Sequence, residues 1–191
     1  MTKETPLYGG AITAKLSEKA IDVSEFRDVP DTQEVFLLEQ TNKLDQAIII
    51  DLLESVEEPT LPEIISVHLS DILDEPASYL APLESFYNDN VQANVHTFLL
   101  KTASSKQDTD SVKLFMYVAL LQVSKAQSDV VLTMTVPCEW GELDQEKFFD
   151  LAQKVVGGNS LDDGESVMSQ AYSQIKTVAS TFKIIDWGLF N

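Results

Sequence analysis

Asp22, Glu25, Asp28, Asp31 and Glu34 recur at steps of three along one short stretch, with Arg27 the only basic residue among them. A second acidic group, Asp51, Glu54, Glu57 and Glu58, follows the apolar run Ile48-Ile49-Ile50. Carboxylates in these numbers can shuttle protons as acid–base pairs or join His and Cys around a metal. They can also receive a partner's cations from loops held at strand ends, or simply stay solvated. The metal reading lacks ligands: His68 and His96 form no H-x-x-x-H pair, and Cys138 has no second cysteine. Both histidines read as packing or surface residues. Cys138 stands between Pro137 and Glu139 with no basic neighbour in sequence to lower its pKa, so a reactive thiolate is not expected. The chain contains no G-x-S-x-G elbow, no phosphate-binding G-x-x-x-x-G-K-[ST] and no G-x-G-x-x-G. Gly9-Gly10 and Gly157-Gly158 read as a turn and a helix stop. No catalytic residue, metal or cofactor is therefore assigned. Chance pairs among 31 acidic residues still leave a hydrolase open.

Charge narrows the choice of partner. Thirteen Lys and Arg against 31 Asp and Glu give a net charge of −18. That field repels phosphate backbones and anionic lipid, which disfavours direct binding to nucleic acid or membrane. It speeds encounter with a basic protein surface, an effect that salt weakens. The same charge also serves solubility, so a solvated face remains a competing reading. The lone cysteine fits a reducing compartment, cytosol or nucleus. The N-terminal residues lack a signal peptide's apolar stretch. The longest apolar run, Leu114 to Leu121, is eight residues, against the ~20 that span a membrane. A soluble protein is expected. At 191 residues and 44% hydrophobic content, with no linker-like segment, the chain is expected to form one domain, 1–191.

The elements that must hold these carboxylates follow from periodicity. Strands are expected at Ala11 to Leu16, entered through Gly9-Gly10, and at Thr32 to Leu38, with Val35 and Leu37 on one face. Between them lies a polar connection with at most one helical turn, which Ser24 is placed to cap and which Pro30 ends. Ala47 to Leu53 begins as a buried β-branched strand, and Asp51 and Glu54 are expected where it gives way to a loop. Pro62 to Leu73 reads as an amphipathic helix with Ile65, Leu69, Ile72 and Leu73 on its stripe. Residues 74 to 92 are weakly patterned and marked by turns at Pro76, Pro82 and Asn88-Asp89-Asn90. Three strands follow at Ala93 to Lys101, Val112 to Val123 and Val130 to Val136. The short polar links at 107–110 and 126–129 suit antiparallel hairpins.

The strand Val112 to Val123 is apolar on both faces, so each side of its sheet must be covered. Helices are expected at Leu143 to Val156, burying Phe148, Leu151, Ala152 and Val155, and at Glu165 to Phe182. The second buries Met168, Ala171, Tyr172, Ile175, Val178 and Phe182. The expected fold is a largely antiparallel sheet with helices on both faces.

Several segments resemble the Ran guanine nucleotide release factor family, small nuclear proteins that bind the import GTPase Ran. They are Leu7-Tyr8-Gly9-Gly10-Ala11-Ile12, Ile21-Asp22-Val23-Ser24, and the run from Phe26 and Arg27 through Pro30-Asp31-Thr32-Gln33-Glu34-Val35-Phe36. Ile49-Ile50-Asp51-Leu52-Leu53-Glu54, Ser128-Asp129-Val130-Val131-Leu132-Thr133, Asp186 and Leu189-Phe190 complete the match. Residues 59–90 and 137–164 match only loosely, and Ser17-Glu18-Lys19 stands where relatives often carry a Pro-Gly turn. The resemblance implies a three-layer α/β/α sandwich around an antiparallel sheet, similar to the extrinsic PsbP protein of photosystem II. It implies a monomer that binds Ran, nucleotide-free or GTP-bound, favours release of GTP and supports nuclear import from the nucleus and partly the cytoplasm. The Ran-binding surface it implies is Asp22, Arg27, Asp31, Glu34, Asp51 and Glu54. If Asp51 and Glu54 are exposed charges, reversing both to Lys should abolish Ran binding while barely altering folding. The residues taken alone also allow a scaffolding module of the same fold with a different basic partner.

Overall fold

A strand that is apolar on both faces has to be buried twice, and the architecture is arranged around Val112–Val123 accordingly. The computed structural model describes residues 1–38, 45–102, 112–157 and 163–190. The strands are β1 (Thr2–Leu7), β2 (Ile12–Ser17), β3 (Ala20–Asp22), β4 (Gln33–Leu38), β5 (Gln46–Glu54), β6 (Tyr79–Asn88), β7 (Ala93–Lys101), β8 (Val112–Val123), β9 (Ser128–Glu139) and β10 (Lys183–Ile184). The helices are α1 (Leu61–Ile72), α2 (Gln145–Gly157) and α3 (Asp163–Thr181). Seven strands form one sheet in the order β3-β4-β5-β9-β8-β7-β6, and β1-β2-β10 form a smaller one. Every pairing is antiparallel.

On one face α1 lays Ile64, Ile65 and Leu69 over Phe98, Leu100, Met116, Val118, Leu120 and Val131. On the other face α2 contributes Phe148, Leu151, Ala152 and Val155, and α3 contributes Met168, Ala171, Tyr172, Ile175 and Val178. Leu7, Ile12, Ala14 and Leu16 of the small sheet join that second core. The result is the expected three-layer α/β/α sandwich. The ends of β7 and β8 and the apolar phases of α2 and α3 agree with the periodicity. Gly157 is the last residue of α2, while Gly158 and the 107–110 link lie outside the described residues.

Several local expectations are corrected. β6 runs through a segment that the pattern left as turns; it is an edge strand, and its register shifts between Pro82 and Ser85. An edge and a bulge are where a strand tolerates the missing N–H of proline. β1, also an edge strand carrying a proline, was not expected either. In β4, Val35 is buried but Leu37 is 40% exposed, whereas Phe36 and Leu38 enter the larger core on the opposite face. On α1 the fully buried residues are Ile64, Ile65, His68 and Leu69, while Ile72 and Leu73 of the expected stripe pack against the same core partly buried. The turn after β3 is capped by Asp22, not Ser24: Asp22 Oδ1 accepts the Ser24 N–H at 2.9 Å. The β8–β9 connection is the short 3-10 turn Ser124–Ala126, and Ser128 and Asp129 already belong to β9.

The largest correction concerns β5, which does not end after its isoleucines. Its ladder with β9 continues through Asp51 opposite Val131 to Glu54 opposite Ser128. Asp51 is therefore a strand residue only 7% exposed, so a lysine there would be buried and would not leave stability unchanged. The ladder continues because strand pairing satisfies the backbone whatever side chain the residue carries.

Candidate functional site

The acidic residues collect at the corner of the large sheet where β4 begins and β5 approaches its end. Asp22 closes β3, its Oδ1 accepting both the N–H (2.9 Å) and the hydroxyl (2.7 Å) of Ser24. The turn Val23–Glu25 then receives two more bonds, from the N–H of Phe26 at 3.0 Å and of Arg27 at 3.1 Å to the Val23 carbonyl. The Pro30 carbonyl accepts from Gln33 N–H at 2.9 Å, and Thr32 carbonyl accepts from Leu52 N–H at 2.9 Å. Both ends of the β3–β4 connection are thus tied down, and Arg27 and Asp31 project from it exposed.

Register divides the two strand carboxylates. Gln33 pairs with Asp51 and Glu34 with Ile50, so Asp51 shares a face with Gln33 while Glu34 points to the opposite side. Asp51 lies on the α1 side, beside Val131 of the smaller core. Burial pushes its carboxyl above the ordinary carboxylate value, and a hydrogen bond from Gln33 offsets this only in part. Glu34 lies on the other side, half-buried, where its carboxylate accepts the backbone N–H of Tyr8. Burial raises its pKa too; the Tyr8 bond opposes the shift and the charge of Asp22 adds to it.

Tyr8 fastens the small sheet to this corner. Its hydroxyl donates to the Ile50 carbonyl at 2.7 Å, with the Thr32 carbonyl a second acceptor at 3.2 Å. Burial raises its phenol pKa well above the ordinary range, and Glu34 and Asp51 add to the shift. The bend that aims it has φ of 50° at Tyr8, 63° at Gly9 and 93° at Gly10. Glycine accepts those angles freely, but Tyr8 takes a conformation that costs roughly 1–3 kcal/mol. Its bonds to Glu34 and Ile50 offset that strain. Gly9-Gly10 is therefore the hinge of this clasp and not just a flexible entry to β2.

The structure thus brings Asp22, Glu34 and Asp51 within electrostatic reach of one another or of Tyr8. Arg27 and Asp31 ride on the connection, and Glu54 sits exposed at the far end of β5. Among the described residues, none of these six forms an ion pair. A groove of about 350 Å³ opens between β1 and β3, with Asp22 and Glu25 in its lining, but neither Glu34 nor Asp51 reaches it. Among the described residues no three His, Cys, Asp or Glu side chains gather as metal ligands. His68 is buried with Nε2 2.8 Å from Asp129 Oδ2, and His96 Nδ1 lies 2.7 Å from Ser85 Oγ. Asp129 pairs with Leu53 of β5, so the His68 contact lies on the same face of that strand as Asp51, whereas His96 belongs to β7. Tyr8 and Gln33 were not singled out from the sequence, although both stand in the segments that carry the family resemblance. The aromatic residue before Gly9-Gly10 was the available signal.

Fold and corner together define an α/β/α protein with an antiparallel core sheet and an acidic corner whose carboxylates form no ion pair among the described residues. The chain belongs to the family of Ran-interacting Mog1 proteins, whose model matches residues 5–137. The nuclear import protein MOG1 of Saccharomyces cerevisiae is 27% identical over 199 residues, covering 98% of this chain and 84% of that protein. The Ran guanine nucleotide release factor of Homo sapiens is 30% identical over 145 residues, covering 71% of this chain and 76% of that protein. Among solved structures, a single-residue mutant of Mog1 superposes with a TM-score of 0.69 at 25% identity over the whole of both chains. The crystal structure of the Saccharomyces cerevisiae Ran-binding protein Mog1p gives a TM-score of 0.67 at 25% identity, covering 100% of this chain and 99% of that one.

Proposed function

We propose that this chain binds Ran through the acidic corner, favours release of GTP from it and supports nuclear protein import, acting by binding and not as an enzyme. One observation supports the reading: Asp22, Glu34 and Asp51 gather where β4 begins beside β5, Asp31 precedes β4 and Glu54 closes β5, and none of the five has a cation paired to it among the described residues. Relatives are named nuclear import protein and Ran guanine nucleotide release factor, which supports Ran as the source of those cations. Asp22, Arg27, Asp31, Glu34, Asp51 and Glu54 form the proposed contact surface. The whole chain acts as one Ran-binding domain, in the nucleus with some cytoplasmic presence.

A release factor holds the nucleotide-free GTPase more tightly than the loaded one, and by linkage nucleotide weakens the factor's binding by the same ratio. A hundredfold ratio needs about 2.7 kcal/mol of coupling. Carboxylates supply it by pairing with basic groups on Ran that otherwise hold phosphates or a switch segment. Asp51 suits this role, because a carboxylate already stripped of most of its water attracts a cation more strongly than a solvated one. A hydrolase would instead bring a raised carboxylate against a second catalytic group in a cleft. Glu34 and Asp51, the two raised carboxylates among the described residues, face opposite sides of the sheet.

Calorimetric titration against Ran in its nucleotide-free, GTP and GDP forms tests the proposal, alongside release of a fluorescent GTP analogue. Tightest binding to the nucleotide-free form and accelerated GTP release are expected. Equal affinities without acceleration overturn the release mechanism, and absence of binding overturns Ran as the partner.

A further inference from the structure

Phe26 is 73% exposed, more than any other large apolar side chain among the described residues except Met1. An exposed phenyl ring gains nothing for the fold, yet this one is held in place. Its N–H is bonded to the Val23 carbonyl at 3.0 Å within the turn that Asp22 caps. Its neighbours Glu25, Arg27 and Asp28 are exposed as well. An aromatic ring on a pinned backbone, flanked in sequence by two exposed carboxylates and one guanidinium, has the composition of an interface anchor with charged neighbours. Pinning the backbone beforehand also lowers the entropy lost on binding.

We propose that Phe26 is the apolar anchor of the acidic corner and inserts into a shallow apolar pocket on Ran bordered by Lys or Arg side chains. This rests on the Ran-binding reading and adds to it a residue that acts by burial and not by charge. Charge complementarity selects the occupant. A second copy of this chain would bring another acidic rim to the ring at a net charge of −18 each, whereas a basic rim is attracted.

The two kinds of contact leave different kinetic marks. Rim charges govern the association rate and its salt dependence, while a buried anchor governs dissociation. Phe26→Ala should therefore raise koff for nucleotide-free Ran at least tenfold, with kon and its salt slope unchanged. Phe26→Leu should recover most of the loss. Asp31→Asn should do the reverse, lowering kon and flattening the salt slope with little effect on koff. Thermal melts of the variants confirm folding, which an exposed side chain should not disturb. If the wild type binds Ran and Phe26→Ala binds with the same koff, the anchor is refuted while the acidic corner stands. If the wild type fails to bind Ran, the underlying reading falls with it. A wild-type dimer in analytical ultracentrifugation that Phe26→Ala dissolves would assign the ring to a second copy and overturn the proposal.

Discussion

Carboxylates around α2, α3 and the β6 edge and those in the corner are treated in opposite ways. Glu84 of β6 accepts hydrogen bonds at 2.6 Å from both the Tyr172 hydroxyl and the Lys176 ammonium of α3. Desolvation pushes its pKa up, but the bonds from Lys176 and Tyr172 outweigh it and leave it below the ordinary value. Lys154 of α2 bridges Glu165 at 2.7 Å and Asp150 at 2.9 Å. These acids tie α2, α3 and the edge of the sheet together. In the corner, Asp51 and Glu34 are raised above the ordinary value by burial and have hydrogen bonds but no cations. Charge matched inside the molecule serves the fold. Charge left unmatched opposes it slightly and stays available to a partner, the exchange of stability for function expected at binding sites.

If that division holds, the packing of α2 and α3 should govern stability and the corner binding. The largest effect is expected from Ile175→Ala, since Ile175 is 0% exposed beneath α3; such truncations cost roughly 2–5 kcal/mol. Ser169→Ala, off that stripe, should stay within about 0.5 kcal/mol. Urea denaturation reads both, and the folded fraction of each should bind Ran like the wild type. Equal midpoints for the two would refute the helix phase.

Asp51→Asn comes next and should separate the two regions most clearly. Ran affinity is expected to fall at least tenfold, about 1.4 kcal/mol, while the melting temperature holds or rises. Asp51→Lys should lower the melting temperature sharply, because the ammonium would enter a site only 7% exposed. The pH dependence has a definite sign. With its pKa raised in the folded state, ionised Asp51 opposes folding at neutral pH. That opposition is relieved as pH falls through its folded value toward the ordinary carboxylate value. Asp51→Asn should flatten this rise. Glu84 acts in the opposite direction, its contribution being lost as pH drops from the ordinary value through the lowered folded one. A drop in melting temperature for Asp51→Asn at neutral pH would break the comparison.

Smaller still is Lys176→Met, which removes the cation from Glu84. The pair is partly exposed, with side chains 43% and 26% accessible, so a loss below about 1 kcal/mol is expected, with unchanged Ran affinity. The smallest effect should come from Glu57→Gln with Glu58→Gln, exposed acids outside the corner. A loss of Ran affinity as large as that of Asp51→Asn would show that bulk charge alone matters.

Much of this was legible in the sequence because it is local. The spacing of Phe148, Leu151, Ala152 and Val155 gives the phase of α2 directly, and two-sided alternation in β8 already requires cover on both faces. The acidic residues announce themselves by number and spacing. What stayed hidden depends on partners distant along the chain. Whether Glu34 and Asp51 share a face is settled by the β4–β5 register, which places Gln33 and not Glu34 opposite Asp51. The role of Tyr8 depends on a carboxylate and a carbonyl in two other strands. β6 escaped because its proline and register shift interrupt the alternation that marks a strand.

The connectivity of β5 bears on how the protein is made. Its partners are β4, its predecessor in the chain, and β9, which arrives only after α1 and three more strands. During synthesis from the N-terminus, Ile48-Ile49-Ile50 must therefore wait with one edge unpaired until Leu132, Thr133 and Met134 leave the ribosome. A β-branched run with a free edge is a template for intermolecular pairing. Nascent chains stalled before β9 should accordingly be held by chaperones or aggregate. The negative charges that close β5, Asp51 and Glu54, would act in that interval as gatekeepers against self-association.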